Sequence, residues 1–208
     1  SLGEIYYAKA AYIRRNGSPG GWFADTARSG GGPLIDLGVH VIDLVRYLAG
    51  NPVPVSVYGA AFRKLSERSL DEEKAYTATR ADKCPNDAED LAAAMIRFSN
   101  GMVLNVETSY SLYAAEDSGR IELFGTKGGI RIDPELRFYS AAAGKLANVT
   151  FPSPAVFGNE AYAREIGEFI SAITDGTPLR ADADDGVQMM RLLDAIYLSA
   201  KTGHEVTL

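Results

Sequence analysis

Two hydrophobic rhythms alternate along this chain, and the changes between them mark out its elements. Period two, the spacing of a strand with one buried face, runs through VPVSVYGAAF at 53–62, and residues 4–14, rich in tyrosine and small apolar side chains, read as an earlier strand. DLAAAMIRF and MVLNVETSY, which Asn100-Gly101 joins as a hairpin turn, and GRIELF at 119–124 read as further strands. GTKGG at 125–129 reads as a β-turn. IRI and LRFY, joined by Asp133-Pro134, extend the sheet, and 140–158 reads as a loop with a weak strand around Asn148–Phe151. Period 3.6 appears in three places. The first is GGGPLIDLGVHVIDLVRYLAG, from Gly30 to Gly50. The second runs from Glu160 to Thr174 behind the candidate N-cap Asn159, with Ile166, Phe169, Ile170 and Ile173 predicted inward. The third runs from Asp184 to Lys201, with Val187, Met190, Leu193, Ile196 and Tyr197 predicted inward, and a short strand, HEVTL, ends the chain.

Several strands follow one another with no helix between them. That predicts an α+β fold: a large open sheet, predominantly antiparallel or mixed, with helices covering one face. Apolar side chains such as Val103, Ile121, Leu123, Ile130 and Ile132 leave neither face cheap to solvate. The face without helices is therefore expected to pack against a second copy or another domain. Residues 63–86 are charged and irregular and read as a surface connection.

The first helical stretch holds the candidate chemistry. Pro33 suits a first helical turn, and Gly50 and Pro52 mark the exit. Leu34, Leu37, Val41, Leu44, Val45 and Leu48 form the predicted apolar stripe. Asp36, His40, Asp43 and Tyr47 fall on a second face at steps of four, three and four. A carboxylate one turn from an imidazole can orient the ring and favour its charged form. His40 is thus a candidate proton acceptor or donor with Asp36 as its partner, while a purely local Asp–His contact is the alternative. Asp43 is expected to be structural, with Arg46 as its ion partner.

Three glycines precede this helix, yet no lysine follows at Walker spacing and GxGxxG is absent, so no phosphate-loop fingerprint is present. Either the backbone approaches something closely there, or free N–H groups face a negative charge. The connection NGSPGGWFADTARSGGG carries Trp22 and Phe23, and Arg14 closes the first strand. Trp22 can line a pocket or cap the core, and Arg14 can bind a polar ligand or lie on the surface.

A formal net charge of −6, from 21 basic and 27 acidic side chains, argues against a general nucleic-acid surface. Cys84 is the only cysteine, which excludes an intrachain disulfide and favours a cytoplasmic location. No run reaches membrane-span length and no secretory leader pattern opens the chain. Two distant histidines, with His204 in the tail, suggest no metal site. SLGEIYYAKAAYIRR enters a strand almost at once without an initiator methionine, as a domain cut from a longer protein or a processed chain would.

The central stretch resembles the glucose–fructose oxidoreductase and inositol dehydrogenase family in its C-terminal domain. GEIYYAKAAYIRR, EDLAAAMIRFSNGMVLNVETSY, IELFGTKGGIRID and DGTPLRADADDGVQMMRLLDAIYLSAKTGHEVTL resemble the same family in order, so the likeness spans nearly the whole chain. The resemblance implies a single substrate-binding and oligomerisation domain over 1–208. It lacks the N-terminal Rossmann domain that holds NAD or NADP, and it lacks the Glu-Lys-Pro segment whose lysine joins the catalytic set. By motif, Asp36 matches the family's active-site aspartate and His40 its acid/base histidine. Arg14 and Trp22 lie where relatives contact substrate, with Tyr162 a weaker candidate. The implied substrate is a sugar or cyclitol secondary alcohol, oxidised only when a nucleotide-binding part is present, with no cofactor held tightly by this chain alone. The implied assembly is a homo-oligomer through the open sheet face. The competing reading is a non-catalytic oligomerisation or small-molecule-binding module that keeps only the fold.

Overall fold

A computed structural model describes residues 2–68, 70, 85–132, 135–151 and 159–208. Its centre is a nine-stranded sheet in the order β8-β7-β6-β5-β1-β4-β3-β2-β9. In chain order the elements are β1 (Ile5–Ile13), a short α1 (Thr26–Ser29), a π-helical turn over Leu34–Gly38 that runs into α2 (Val39–Leu48), and β2 (Pro54–Phe62). Next come β3 (Leu91–Phe98), β4 (Val103–Ser109), β5 (Ser118–Gly125), β6 (Gly129–Ile132), β7 (Arg137–Ala142) and β8 (Lys145–Thr150). Then follow α3 (Asn159–Asp175), α4 (Ala183–Thr202) and β9 (Val206–Thr207). Neighbouring strands run antiparallel except β1 and β4, which are parallel. Mixed, open and mostly antiparallel is what hairpin-connected strands with no intervening helix require.

The core lies between the sheet and α2 plus α4. Ala8, Ala10, Ala92, Ala94, Ile96, Leu104, Val106, Ile121 and Leu123 face it from the strands. Ile42, Val45, Leu192, Leu193 and Ile196 face it from the helices, all but fully buried. Small residues on the middle strands let α4 come close. A Cβ on Gly59 would sit 2.8 Å from the Ile196 side chain, and the Gly59 N–H donates to Ser199 Oγ at 2.9 Å.

The predicted turns at Asn100-Gly101 and at 125–129 form as expected. Gly101 has φ 85°, and Phe98 N–H donates to the Met102 carbonyl. The other departures have local causes. The strands expected at LRFY and around Asn148–Phe151 form, and they extend through 140–147, expected as loop, into the β7–β8 hairpin, closed by Ala143 and Gly144 at positive φ. Leu44 and Leu48, predicted inward, are 36% and 38% exposed, because α2 turns Val41, Ile42, Val45 and Arg46 to the core instead. Asp43 is exposed and is not the partner of Arg46. The arginine, 1% exposed, reaches α4: its Nη2 lies 3.6 Å from Asp185 Oδ1 and donates to Gln188 Oε1 at 3.3 Å. On α4 the buried side is Met189, Leu192, Leu193, Ala195, Ile196 and Ser199, while Val187 and Met190 point outward. The side of α3 predicted inward is uncovered: Ile166, Phe169, Ile170 and Ile173 are 52–69% exposed, since no described element lies over them. The last strand forms as expected, with β9 paired to β2, His204 exposed and its carbonyl accepting from Ser199 Oγ at 2.6 Å. Cys84, Asp133-Pro134, most of the 63–86 connection and the side chain of Asn159 lie outside the described residues.

The face opposite the helices carries mixed chemistry. Tyr7 stacks on Phe124 with centroids 5.8 Å apart, Lys9 lies 5.9 Å from the Tyr7 ring, and Asn105 Nδ2 donates to Tyr7 Oη at 2.7 Å. Further along, Tyr58 and Met95 are cross-strand neighbours, 54% and 49% exposed.

Candidate active site

β1 and β4 end side by side, and the chain leaves them as Arg14 and Tyr110. Arg14 N–H donates to the Ser109 carbonyl at 3.0 Å and Gly17 N–H to the Tyr110 carbonyl at 2.8 Å, which locks the two exits together. The π-helical turn sits over these strand ends. Such wide turns recur at functional sites because they re-aim side chains that a regular helix would stack. Here the turn packs on β4: a Cβ on Gly38 would stand 3.4 Å from Thr108 Cγ2.

A buried carboxylate, Glu89, fixes the start of this turn. It lies just before β3 and is 9% exposed. Its Oε2 accepts from Gly32 N–H at 2.8 Å and its Oε1 from Leu34 N–H at 3.2 Å. Oε1 also accepts from Tyr197 Oη of α4 at 2.8 Å. These are the orphan amide groups of a helix start, satisfied by a charge from within the fold. The glycines follow from this packing. A Cβ on Gly32 would sit 2.5 Å from the Glu89 carbonyl oxygen, and one on Gly31 would collide with the Tyr197 hydroxyl. Of the two readings of the triple glycine, close approach and a facing negative charge both hold, and both partners are internal. The neighbouring acids act alike: Asp87 Oδ1 accepts from Thr26 N–H at 2.8 Å, and Asp90 Oδ2 from Leu65 N–H at 2.5 Å.

Above this anchor Asp36 is half-buried and His40 is exposed one step along the same element. No hydrogen bond or ion pair joins the two side chains. Asp36 instead faces Tyr110, a β4-end residue 3% exposed. The Tyr110 hydroxyl is buried and faces the Asp36 carboxylate, which acts on it both as a charge and as a hydrogen-bond acceptor, though the pair falls short of strict hydrogen-bonding geometry. Thr108 Oγ1, two residues earlier, is likewise buried without a partner. Burial, then the negative charges of Asp36 and Glu89, hold the Tyr110 phenol well above the ordinary tyrosine range, against a smaller opposing pull from Arg14. Burial and Glu89 do the same to Tyr197.

Arg14 is buried at 8% exposure, with Nη1 donating to the Gly17 carbonyl at 3.2 Å and the guanidinium 5.2 Å from the Tyr12 ring. Trp22 is 45% exposed and rests on Phe23, centroids 4.1 Å apart. Tyr162 stands 67% exposed on α3. The structure thus gathers Asp36, Tyr110, Glu89 and Arg14 around the strand ends, leaves His40 exposed, and holds Trp22 and Tyr162 on the surface. Glu89, Tyr110 and Tyr197 went unnoticed in the sequence. The one signal for Glu89 was the row of free amides at Gly30–Leu34, which calls for an anion. Among the described residues no group of three or more His, Cys, Asp or Glu is placed to hold a metal ion, and no helix is long and apolar enough to cross a membrane.

The fold is an open, mostly antiparallel mixed sheet with α2 and α4 covering one face. Residues 1–208 match the oxidoreductase family, C-terminal alpha/beta domain, and the chain belongs to that family. It is 33% identical over 210 residues to D-glucoside 3-dehydrogenase of Escherichia coli (strain K12), covering 100% of this chain and 58% of that protein. Levoglucosan dehydrogenase of Pseudarthrobacter phenanthrenivorans is 27% identical over 96% of this chain and 58% of its own length. A solved structure of levoglucosan dehydrogenase in complex with NADH and levoglucosan superposes with a TM-score of 0.79 at 27% identity, over 100% of this chain and 59% of that one. The oxidoreductase domain protein from Kribbella flavida shares the fold, with a TM-score of 0.79 at 23% identity over 99% of this chain and 60% of that one. The chain therefore spans less than two thirds of the length of these relatives.

Proposed function

We propose that this chain is the substrate-binding, acid/base-supplying domain of an NAD(P)-dependent oxidoreductase acting on a secondary alcohol of a sugar or cyclitol. The observation that carries the reading is an exposed imidazole, His40, one turn from the half-buried carboxylate of Asp36, in a chain 33% identical to a D-glucoside 3-dehydrogenase.

The chain's own residues do not suit the dinucleotide. Its one glycine-rich helix start already receives Glu89 through the amides of Gly32 and Leu34, so no pyrophosphate can take that place. NAD or NADP, bound outside this chain, would supply the hydride acceptor, and the isolated domain would not turn over. What this chain supplies is proton handling. Oxidising a secondary alcohol to a ketone frees the hydroxyl proton as the carbon is oxidised. His40 takes that proton, and Asp36 offsets the charge that develops on the ring. Arg14, Trp22 and Tyr162 contribute contacts to the polyol.

The helix-free sheet face serves a second copy of the chain. Its Lys9, Glu107 and Arg120 line a depression of about 350 Å³ beside Tyr7 and Asn105, and a two-fold operation sets such mixed charges against their opposites. A non-catalytic module is the second reading, favoured by the absence of a direct Asp36–His40 bond.

The test is a substrate panel on the protein that joins this chain to its nucleotide-binding part, polyols, glycosides and cyclitols first, read at the reduced-nicotinamide absorbance. Turnover of at least one sugar or cyclitol is expected. Nicotinamide binding without turnover of any of them contradicts the enzyme reading and favours the module.

A further inference from the structure

The proposed acid/base pair lacks the one thing such a pair needs, a group that holds the carboxylate still. The fold supplies a candidate. Tyr110 leaves the end of β4 directly beneath the π-helical turn that carries Asp36, and its side chain is 3% exposed. Its hydroxyl is buried and faces Asp36, whose carboxylate acts on it as a charge and as an acceptor without reaching strict hydrogen-bond geometry, with Glu89 the second charge nearby. A buried hydroxyl held short of a well-formed hydrogen bond costs a fold stability, and phenylalanine would fill the same volume without that cost. A hydroxyl kept in such a place has a partner in some state of the molecule. The surroundings narrow the choice. Glu89 already accepts from two amides and from Tyr197. The Asp36 carboxylate makes no other hydrogen bond or ion pair, and it lies on the π-helical turn above Tyr110.

We infer that Tyr110 is the positioning residue of this site: its hydroxyl closes onto one oxygen of Asp36 when substrate covers the helix, and leaves the other oxygen to steer His40. The inference rests on the acid/base reading of Asp36 and His40. It adds a residue that touches neither substrate nor cofactor and acts through the carboxylate. Thr108 Oγ1, unpartnered on the same side of β4, shows that this floor is provisioned with donors beyond what the uncovered domain uses.

A double-mutant cycle in the protein that carries both this chain and its nucleotide-binding part tests it, with His40→Ala as the control for the site. Tyr110→Phe is expected to lower kcat about tenfold while KM stays within about twofold, the pattern of an interaction made only in the transition state. Added to Asp36→Asn, it is expected to change kcat by less than about twofold, because both act through one contact. Unchanged kcat in Tyr110→Phe, an effect confined to KM, or multiplicative losses in the double variant would each overturn the inference. So would loss of the folded state in Tyr110→Phe, judged by near-ultraviolet circular dichroism of the 208-residue chain, since that assigns the residue a structural role. The two levels separate through the control. Loss of turnover in His40→Ala with wild-type kcat in Tyr110→Phe removes only the positioning role. Full turnover in His40→Ala removes the site itself, and the role with it.

Discussion

At the scale of single residues, the organising group is Glu89. One carboxylate satisfies two amides of a helix start and one phenol, and so joins β3, the glycine loop and α4 at a single point. Hydrogen bonds to a charged group contribute about 1.5–3 kcal/mol each. Glu89→Ala should therefore lower stability by about 3 kcal/mol or more, and Glu89→Gln, which still accepts, by visibly less, as read from urea midpoints. The two buried phenols carry a pH signature. Their folded-state pKa values lie above the unfolded value of about 10. The folded chain therefore keeps protons that the unfolded chain releases. Their contribution is complete below about pH 10 and is lost as pH rises past it. Melting temperature should fall more steeply above about pH 10 in the wild-type chain than in Tyr197→Phe; parallel curves would remove the phenols from the account. None of this could be read from local sequence. Glu89 is 57 residues from Gly32 and 108 from Tyr197, and no periodicity reports a contact at such separation. His40 and Asp36 stood out because their partner spacing is local.

At the scale of elements, the strands were legible because alternation and turn chemistry are local properties. Asn100-Gly101 is a turn in isolation as much as in the fold. The middle of the β7–β8 hairpin, 140–147, read as loop because AAAGKLA lacks a two-period signal, while its outer ends at LRFY and Asn148–Phe151 were legible. Helix faces were harder. α4 is apolar on more than one side, and its register is set by where the Gly59 backbone admits Ile196, which the helix sequence alone does not contain. Arg46 shows the same limit: the nearest acid on its own helix was expected to pair with it, while the buried guanidinium crosses to Asp185. Because Arg46 is 1% exposed and ties α2 to α4, Arg46→Ala should cost about 3 kcal/mol. Asp185→Asn should cost much less, since that carboxylate is partly hydrated. The glycine loop is equally intolerant. Gly32→Ala sets a methyl 2.5 Å from a backbone oxygen, and a loss of about 1–3 kcal/mol in chemical denaturation is expected.

At the scale of the whole molecule, two surfaces have no cover among the described residues: the apolar outer side of α3 and the helix-free face of the sheet, which mixes exposed aromatics with charge. The sequence predicted the second and misplaced the first, because a stripe on a helix says that it is buried but not by what. If the sheet face joins two copies, Tyr58→Glu should convert a dimer of the chain to a monomer in sedimentation without lowering its melting temperature. Both effects are expected because Tyr58 is 54% exposed in the single chain. The central claim concerns chemistry: His40 moves the substrate proton from a site that this domain builds and the nucleotide does not share. The most direct measurement is steady-state turnover of the complete protein with His40→Ala, with nicotinamide nucleotide affinity measured on the same sample. The account predicts a loss of about 10²–10⁴ in kcat with nucleotide affinity unchanged. Turnover at the wild-type rate without the imidazole would contradict it.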